Sequence, residues 1–161
     1  TEYLPPLLQC LLRLRLGLFC HLLGGLRRAR MVLHASAFDA EVKSAFLQLG
    51  QDAMQFVFVT TLLRGIMSGW IIALMVWLLP FAESARVWVI ILMTYLVGLA
   101  HFSHIIAGSI EVFSVAVVGE ASWGQVLGGF VLPALLGNII GGVMLVAVLN
   151  HAPVVAGAES M

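Results

Sequence analysis

Charge is scarce in this chain. Only 10% of its 161 residues are Asp, Glu, Lys or Arg, against about a quarter in ordinary soluble domains. Eight basic and eight acidic residues balance to zero, so nothing electrostatic points to nucleic acid or to a strongly charged partner. Cysteine is nearly missing: Cys10 and Cys20 stand alone in an apolar stretch, and their spacing is not that of metal ligands. They read as small hydrophobes in a helix and say nothing about redox compartment. There is no Ser-His-Asp pattern, phosphate loop or dinucleotide fingerprint, so no enzyme motif is present and no cofactor is implied. A signal peptide is also lacking. The chain starts at Thr1 rather than Met, and we expect it to begin part-way through an open reading frame.

What fills the chain instead is apolar: 61% of its residues are hydrophobic. A soluble domain of this size buries only about 70% of its surface, so a bilayer is the natural solvent for the excess. A membrane-spanning helix needs about 20 mainly apolar residues. Residues 56–81, with Arg64 as their one charge, meet that need; so do 87–118, uncharged until Glu111, and 126–149, which carry no charge. Short connectors, around Pro80 to Arg86 and around Gly119 to Gly124, make successive helices antiparallel. The expected organisation is a partial or degraded membrane segment plus an amphipathic surface helix over 1–55, the membrane helices over 56–151, and a tail over 152–161. The surface helix rests on Val42, Ala45, Phe46 and Leu49 set among Asp39, Glu41, Lys43 and Asp52. The segment before it is rich in leucine but holds Arg13, Arg15, Arg27, Arg28 and Arg30. Each arginine at mid-membrane costs about 2.5–3.5 kcal/mol on insertion scales, so it reads as a degraded or interfacial helix.

The middle stretch is too long for one simple span. Its roughly 32 residues would make about 48 Å of helix against a hydrocarbon core of about 30 Å. Gly98, His101, Ser103, His104, Gly108 and Ser109 lie at its centre. Irregular backbone at that depth is tolerated only inside protein or along a cavity, and half-helix ends there make ion sites. We therefore expect two half-helices with a non-helical link around 100–108. Glycines four apart (Gly65 and Gly69, Gly124 and Gly128, Gly137 and Gly141) allow close helix packing in lipid.

Ionisable groups inside a span usually face a cavity, and His101, His104 and Glu111 are such a set. A metal centre would need three or four ligands, and this chain offers too few at suitable spacing for one to be expected. The alternative is a permeation path, in which a neutral imidazole donates a hydrogen bond or a proton to a small passing anion. We read His101 as a packing residue; for His104 the residues alone leave a satisfied core histidine and a functional one both open.

The residues around them resemble the formate/nitrite transporter family. Its broken fifth helix carries Gly-Phe-Glu-His-Ser-Val-Ala-Asn, matched here by His101-Phe102-Ser103-His104-Ile105-Ile106-Ala107-Gly108. Its sixth carries Leu-Gly-Asn-Ile-hydrophobic-Gly-Gly, matched by Leu136-Gly137-Asn138-Ile139-Ile140-Gly141-Gly142. Its fourth reads roughly Leu-Arg-Gly-Ile-Leu-Cys-Asn-Trp, matched by Leu63-Arg64-Gly65-Ile66-Met67-Ser68-Gly69-Trp70. The likeness covers about residues 62–151, and the sequence looks like a divergent branch of the family, similar to its inner-membrane members.

The resemblance implies an all-α polytopic membrane bundle, aquaporin-like, with a helix broken at mid-membrane. This chain would supply helices three to six of a homopentamer in the bacterial inner membrane. The implied function is a channel or proton-coupled transporter for small monovalent anions such as formate, nitrite or hydrosulfide. His104 would stand at mid-pore with Asn138, Ser103, Phe102, Val97 and Ile105 along the pathway. Three family features are altered: a polar Asn is Gly69, a Glu is Ser103, and a lysine falls near Ala53. These losses keep open the alternative of a transport-inactive scaffold or interaction protein that retains the fold.

Overall fold

A long apolar run folds as helix in lipid because a helix satisfies its own backbone groups within one segment. The computed structural model describes residues 5–158, with side chains at 5 and 7–151, and every regular element among them is helical. Helix α1 spans Pro6–His34 and α2 spans Ala40–Met54. Helix α3, Phe58–Leu78, tightens into a 3₁₀ turn at Leu79–Phe81 where Pro80 cannot donate to the helical ladder. Helices α4 (Arg86–Leu99) and α5 (Ile105–Val117) follow. Last come α6 (Trp123–Val126), a π-helical turn at Leu127–Val131, and α7 (Leu132–Ala158), which run on as one rod. Among the described residues, three helical segments are long and apolar enough to cross a membrane: Leu7–His34, Phe58–Phe81 and Trp123–His151.

The α3–α7 pair is the closest packing in the molecule. A β-carbon added at Gly69 would come within 2.9 Å of the Asn138 Cα, and one added at Gly137 within 2.9 Å of the Gly65 Cα. Gly141 lies equally hard against the backbone of Ile66. Two of the three glycine pairs therefore face each other across one interface, where small residues let backbones touch and dispersion act over the full helix length. The third pair behaves differently: nothing lies within 4 Å of a β-carbon at Gly128, and Gly124 would meet only the Ser122 hydroxyl at 3.9 Å. The same contact accounts for glycine at position 69. An asparagine there would have to displace the α7 backbone.

Helices α1 and α2 both pack along α5. Gly25 and Ala29, one turn apart, turn the small face of α1 to Ser109, Ile110 and Phe113, while Arg27, Arg28 and Arg30 are exposed on other faces. Helix α1 is thus continuous despite its arginines. Gly50 seats α2 on the backbone of Glu111, and Gln51 donates to the Glu120 carboxylate beyond the end of α5. The π turn has a local cause. Pro133 has no N–H for the carbonyl four residues back, and the ladder widens so that Leu132 N–H reaches the Leu127 carbonyl instead. The widened turn carries Phe130, which is 2% exposed and lays its ring on Gly108 of α5.

The segment expected as a tail from residue 152 starts as the continuation of α7 through Ala158. Residues 159–161 of that tail lie outside the described residues.

Candidate functional site

Between α4 and α5 the chain leaves helical geometry at Ala100 and resumes it at Ile105. The two half-helices hold 14 and 13 residues, each about 20 Å long. The non-helical link is shorter than the nine residues spanned by 100–108, because Ile106, Ala107 and Gly108 already belong to the first turns of α5. The chain reverses at His101, whose φ of +51° is the left-handed conformation that glycine adopts most readily. Histidine is among the residues that tolerate it. The His101 N–H bonds the Gly98 carbonyl at 3.0 Å and Phe102 N–H bonds the Val97 carbonyl at 3.0 Å, which closes α4.

Asn138 holds this link. Its Oδ1 accepts from the Ile105 N–H at 3.0 Å, and its Nδ2 donates to the Ser103 carbonyl at 2.9 Å and the Gly65 carbonyl at 3.0 Å. One amide from α7 thus ties together the start of α5, the link and the middle of α3. Two of these partners, Ile105 N–H and Ser103 C=O, have no place in a helical ladder and need it most.

His104 is the N-cap of α5. Its Nδ1 accepts a long hydrogen bond of 3.5 Å from the Ala107 N–H. That role needs Nδ1 unprotonated, which leaves the ring proton on Nε2. His21 of α1 donates from Nε2 to the Ile106 carbonyl at 3.2 Å in the next turn.

The link borders a cavity of about 630 Å³ that α2 also lines. Val97, Phe102, Ser103 and His104 line it; Ile105 and Asn138 do not. Ile105 belongs instead to the buried core with Val112, Phe130 and Ala134, and the Asn138 amide is taken up by backbone. Both bear on the cavity through the position they give the link.

Residues from α2 and α3 line it as well. Arg64 stacks over the Phe56 ring, 3.7 Å from its centroid, and donates to the His101 carbonyl at 3.4 Å. Ala53 and Asp52 close the α2 side. Arg64 was detectable as the one charge in an apolar run, and a membrane-embedded charge is a site by default. His101, read as packing, and Glu111 also border the cavity. Among the described residues, no three His, Cys, Asp or Glu side chains are grouped to hold a metal ion.

The sequence pattern of the formate/nitrite transporters matches residues 6–152. The chain is 39% identical over 117 residues to the inner membrane protein YfdC of Escherichia coli (strain K12), a match covering 73% of this chain and 38% of that protein. It is 28% identical over 108 residues to the uncharacterized transporter YrhG of Bacillus subtilis (strain 168), covering 64% of this chain and 39% of that one. The chain therefore spans about two fifths of the length of these relatives. No solved structure matches it. The match extends well upstream of residue 62, where the quoted motifs begin, and takes in α1 and its arginines. An all-α bundle with several helices fit to cross a bilayer and a family pattern covering nearly the whole chain lead to one assignment: this is a multi-pass membrane protein and belongs to the formate/nitrite transporter family.

Proposed function

We propose that the protein conducts small monovalent anions, of the size of formate, nitrite or hydrosulfide, together with a proton. The observation that carries this reading is His104 in the lining of the cavity, on a helix break that Asn138 secures with three hydrogen bonds. An anion leaving water for an apolar constriction loses its hydration, which is the dominant barrier to its passage. Nε2–H of His104 offers it a hydrogen bond or a proton at that point. The N-terminus of α5 adds partial positive charge beside it.

In this reading the break lies at mid-membrane within an aquaporin-like inverted repeat, and five copies assemble with one pathway each. The Arg86 turn faces the cytoplasm and the α2 side faces outward; Arg86 follows the positive-inside rule, whereas Arg27, Arg28 and Arg30, near the α2 end of α1, lie on the side that the rule disfavours. The cavity is then the outer vestibule, lined by Phe102, Ser103, His104 and Val97. Domain boundaries follow the same scheme: the transporter helices occupy residues 56–151, and the segment before them supplies α1 and the outer helix α2.

The test is flux of formate, nitrite and hydrosulfide into proteoliposomes holding the full-length protein. Saturable flux that rises as the outside is acidified supports transport. No flux above empty liposomes, from a protein that is folded and assembled, would leave the scaffold reading.

A further inference from the structure

The charges around the cavity are the wrong ones for attracting a bare anion. Asp52 and Glu111 set two carboxylates against the single cation Arg64 in its lining. Arg64 is held on the Phe56 ring and the His101 carbonyl, not on either carboxylate. Among the described residues the Glu111 carboxyl makes no ion pair or hydrogen bond, and His101 acts on it only through space. It is half-buried, on a helix that carries no other charge. Retaining such a group inside a membrane protein requires a use for it.

Its position is specific. Glu111 lies seven residues after His104 on α5. Two turns of helix put both on one face, about 10 Å apart along the axis. Gly50 fixes that height by seating α2 on the Glu111 backbone. Glu111 and His104 line the same cavity, so a solute bound at His104 lies within the field of the Glu111 carboxyl. The other titratable and charged groups near it are Asp52 from α2, Arg64 from α3, His101 and His104 from the link and His21 from α1. Helices α4 and α7 bring none to the lining.

We propose that Glu111 is a specificity-determining residue of the pathway: its carboxylate repels permanently ionised anions and admits weak acids, which can pass it in their neutral, protonated form. The proposal rests on the transport reading above and names the substrate class within it. A unit charge about 10 Å from a carboxylate, at an effective dielectric of about 20, is disfavoured roughly tenfold. A neutral acid meets no such barrier, and on reaching His104 it can share its proton with the imidazole. Chloride and nitrate, whose acids stay ionised in water, cannot use this route. Formic, nitrous and hydrosulfuric acids can.

The experiment compares formate with chloride and nitrate in proteoliposomes carrying the full-length wild type, Glu111→Gln and Glu111→Asp. Wild type should favour formate by at least about tenfold at neutral pH. Glu111→Gln keeps the shape and removes the charge, so chloride and nitrate flux should rise about tenfold while formate flux changes less than about threefold. Glu111→Asp should keep the wild-type preference. A second measurement follows chloride and nitrate flux against outer pH: in wild type it should rise up to about tenfold as the outer pH drops from about 7.5 to about 4.5 and Glu111 takes up a proton, and Glu111→Gln, which has no carboxyl to protonate, should lack this rise. Unchanged anion preference in Glu111→Gln, or wild-type chloride and nitrate flux that rises with acid no more than in Glu111→Gln, overturns the proposal while leaving transport standing. Absence of any formate flux in wild type removes the transport reading itself and this proposal with it.

Discussion

Replacing Asn138 by leucine removes three hydrogen bonds at the point where α3, α5 and the link meet. Each has a different weight. The Gly65 carbonyl lies within α3, whose own ladder supplies a partner, so losing the amide leaves it only under-satisfied. Ile105 N–H is the first donor of α5, and the Ser103 carbonyl lies outside any helix, so each loses its one partner among the described residues. A buried backbone group left unsatisfied costs about 1–3 kcal/mol. Hydrogen bonds between membrane helices average only about 0.6 kcal/mol, because the unfolded chain in lipid also finds partners. Two orphaned groups and one weakened carbonyl therefore give a loss of about 2–4 kcal/mol. Leucine is close in volume to asparagine, so a cavity adds little. Asn138→Asp should lose at least as much, since a carboxylate would face the carbonyls of Gly65 and Ser103 where an NH₂ now donates. Unfolding in mixed micelles with increasing denaturing detergent, followed by circular dichroism, measures the difference. A shift of less than about 0.5 kcal/mol in Asn138→Leu would refute the view that this amide holds the break in place.

His101→Gly should stabilise the protein by about 1 kcal/mol in the same assay, because it relieves a left-handed residue that bears a side chain; a fall in stability would show that the imidazole makes a compensating contact. Gly137→Leu should destabilise by about 1–3 kcal/mol as α3 is forced away from α7, whereas Gly128→Ala, with open space around its β-carbon, should stay within about 0.5 kcal/mol of wild type.

Much of this fold is legible in the sequence because lipid imposes a simple rule. Apolar runs of sufficient length had to be helices, and α3 follows the 56–81 run to within two residues at its start. The interruption of the 87–118 run was legible from excess length and a polar centre. Its limits were less so, since first-turn residues such as Ile106 look the same in a link as in a helix. Helix α1 was harder. Five arginines argue against a buried span, and only the packing of Gly25 and Ala29 on α5 shows which side of the helix is free of them. The extension of α7 to Ala158 was missed because the reading ended where strong apolarity ended, and a helix does not need apolarity to continue.

The site was half legible. His104, Ser103, Phe102 and Val97 were marked from the motif and do line one cavity. Asn138 was marked as a pathway residue, but its amide is occupied by three backbone partners that no spacing rule connects, from residues 65, 103 and 105. Arg64 and Asp52 join the cavity only because α2 and α3 fold over α5, a tertiary fact without a local sequence signal. Ala53 lines that same cavity, as does Arg64.

The central claim is that His104 is the group through which anion and proton pass together. The most direct measurement is formate-driven proton uptake into proteoliposomes between about pH 5 and 8, bracketing the ordinary histidine value of about 6.5. Wild type is compared with His104→Phe and His104→Asn in the full-length protein. The account predicts that His104→Phe, which keeps the bulk and removes the donor, abolishes formate flux or its rise with acid. His104→Asn, which keeps a donor but cannot titrate, should retain some flux and lose the pH response. Flux and pH response equal to wild type in His104→Phe would contradict the account and reduce His104 to a cap for α5.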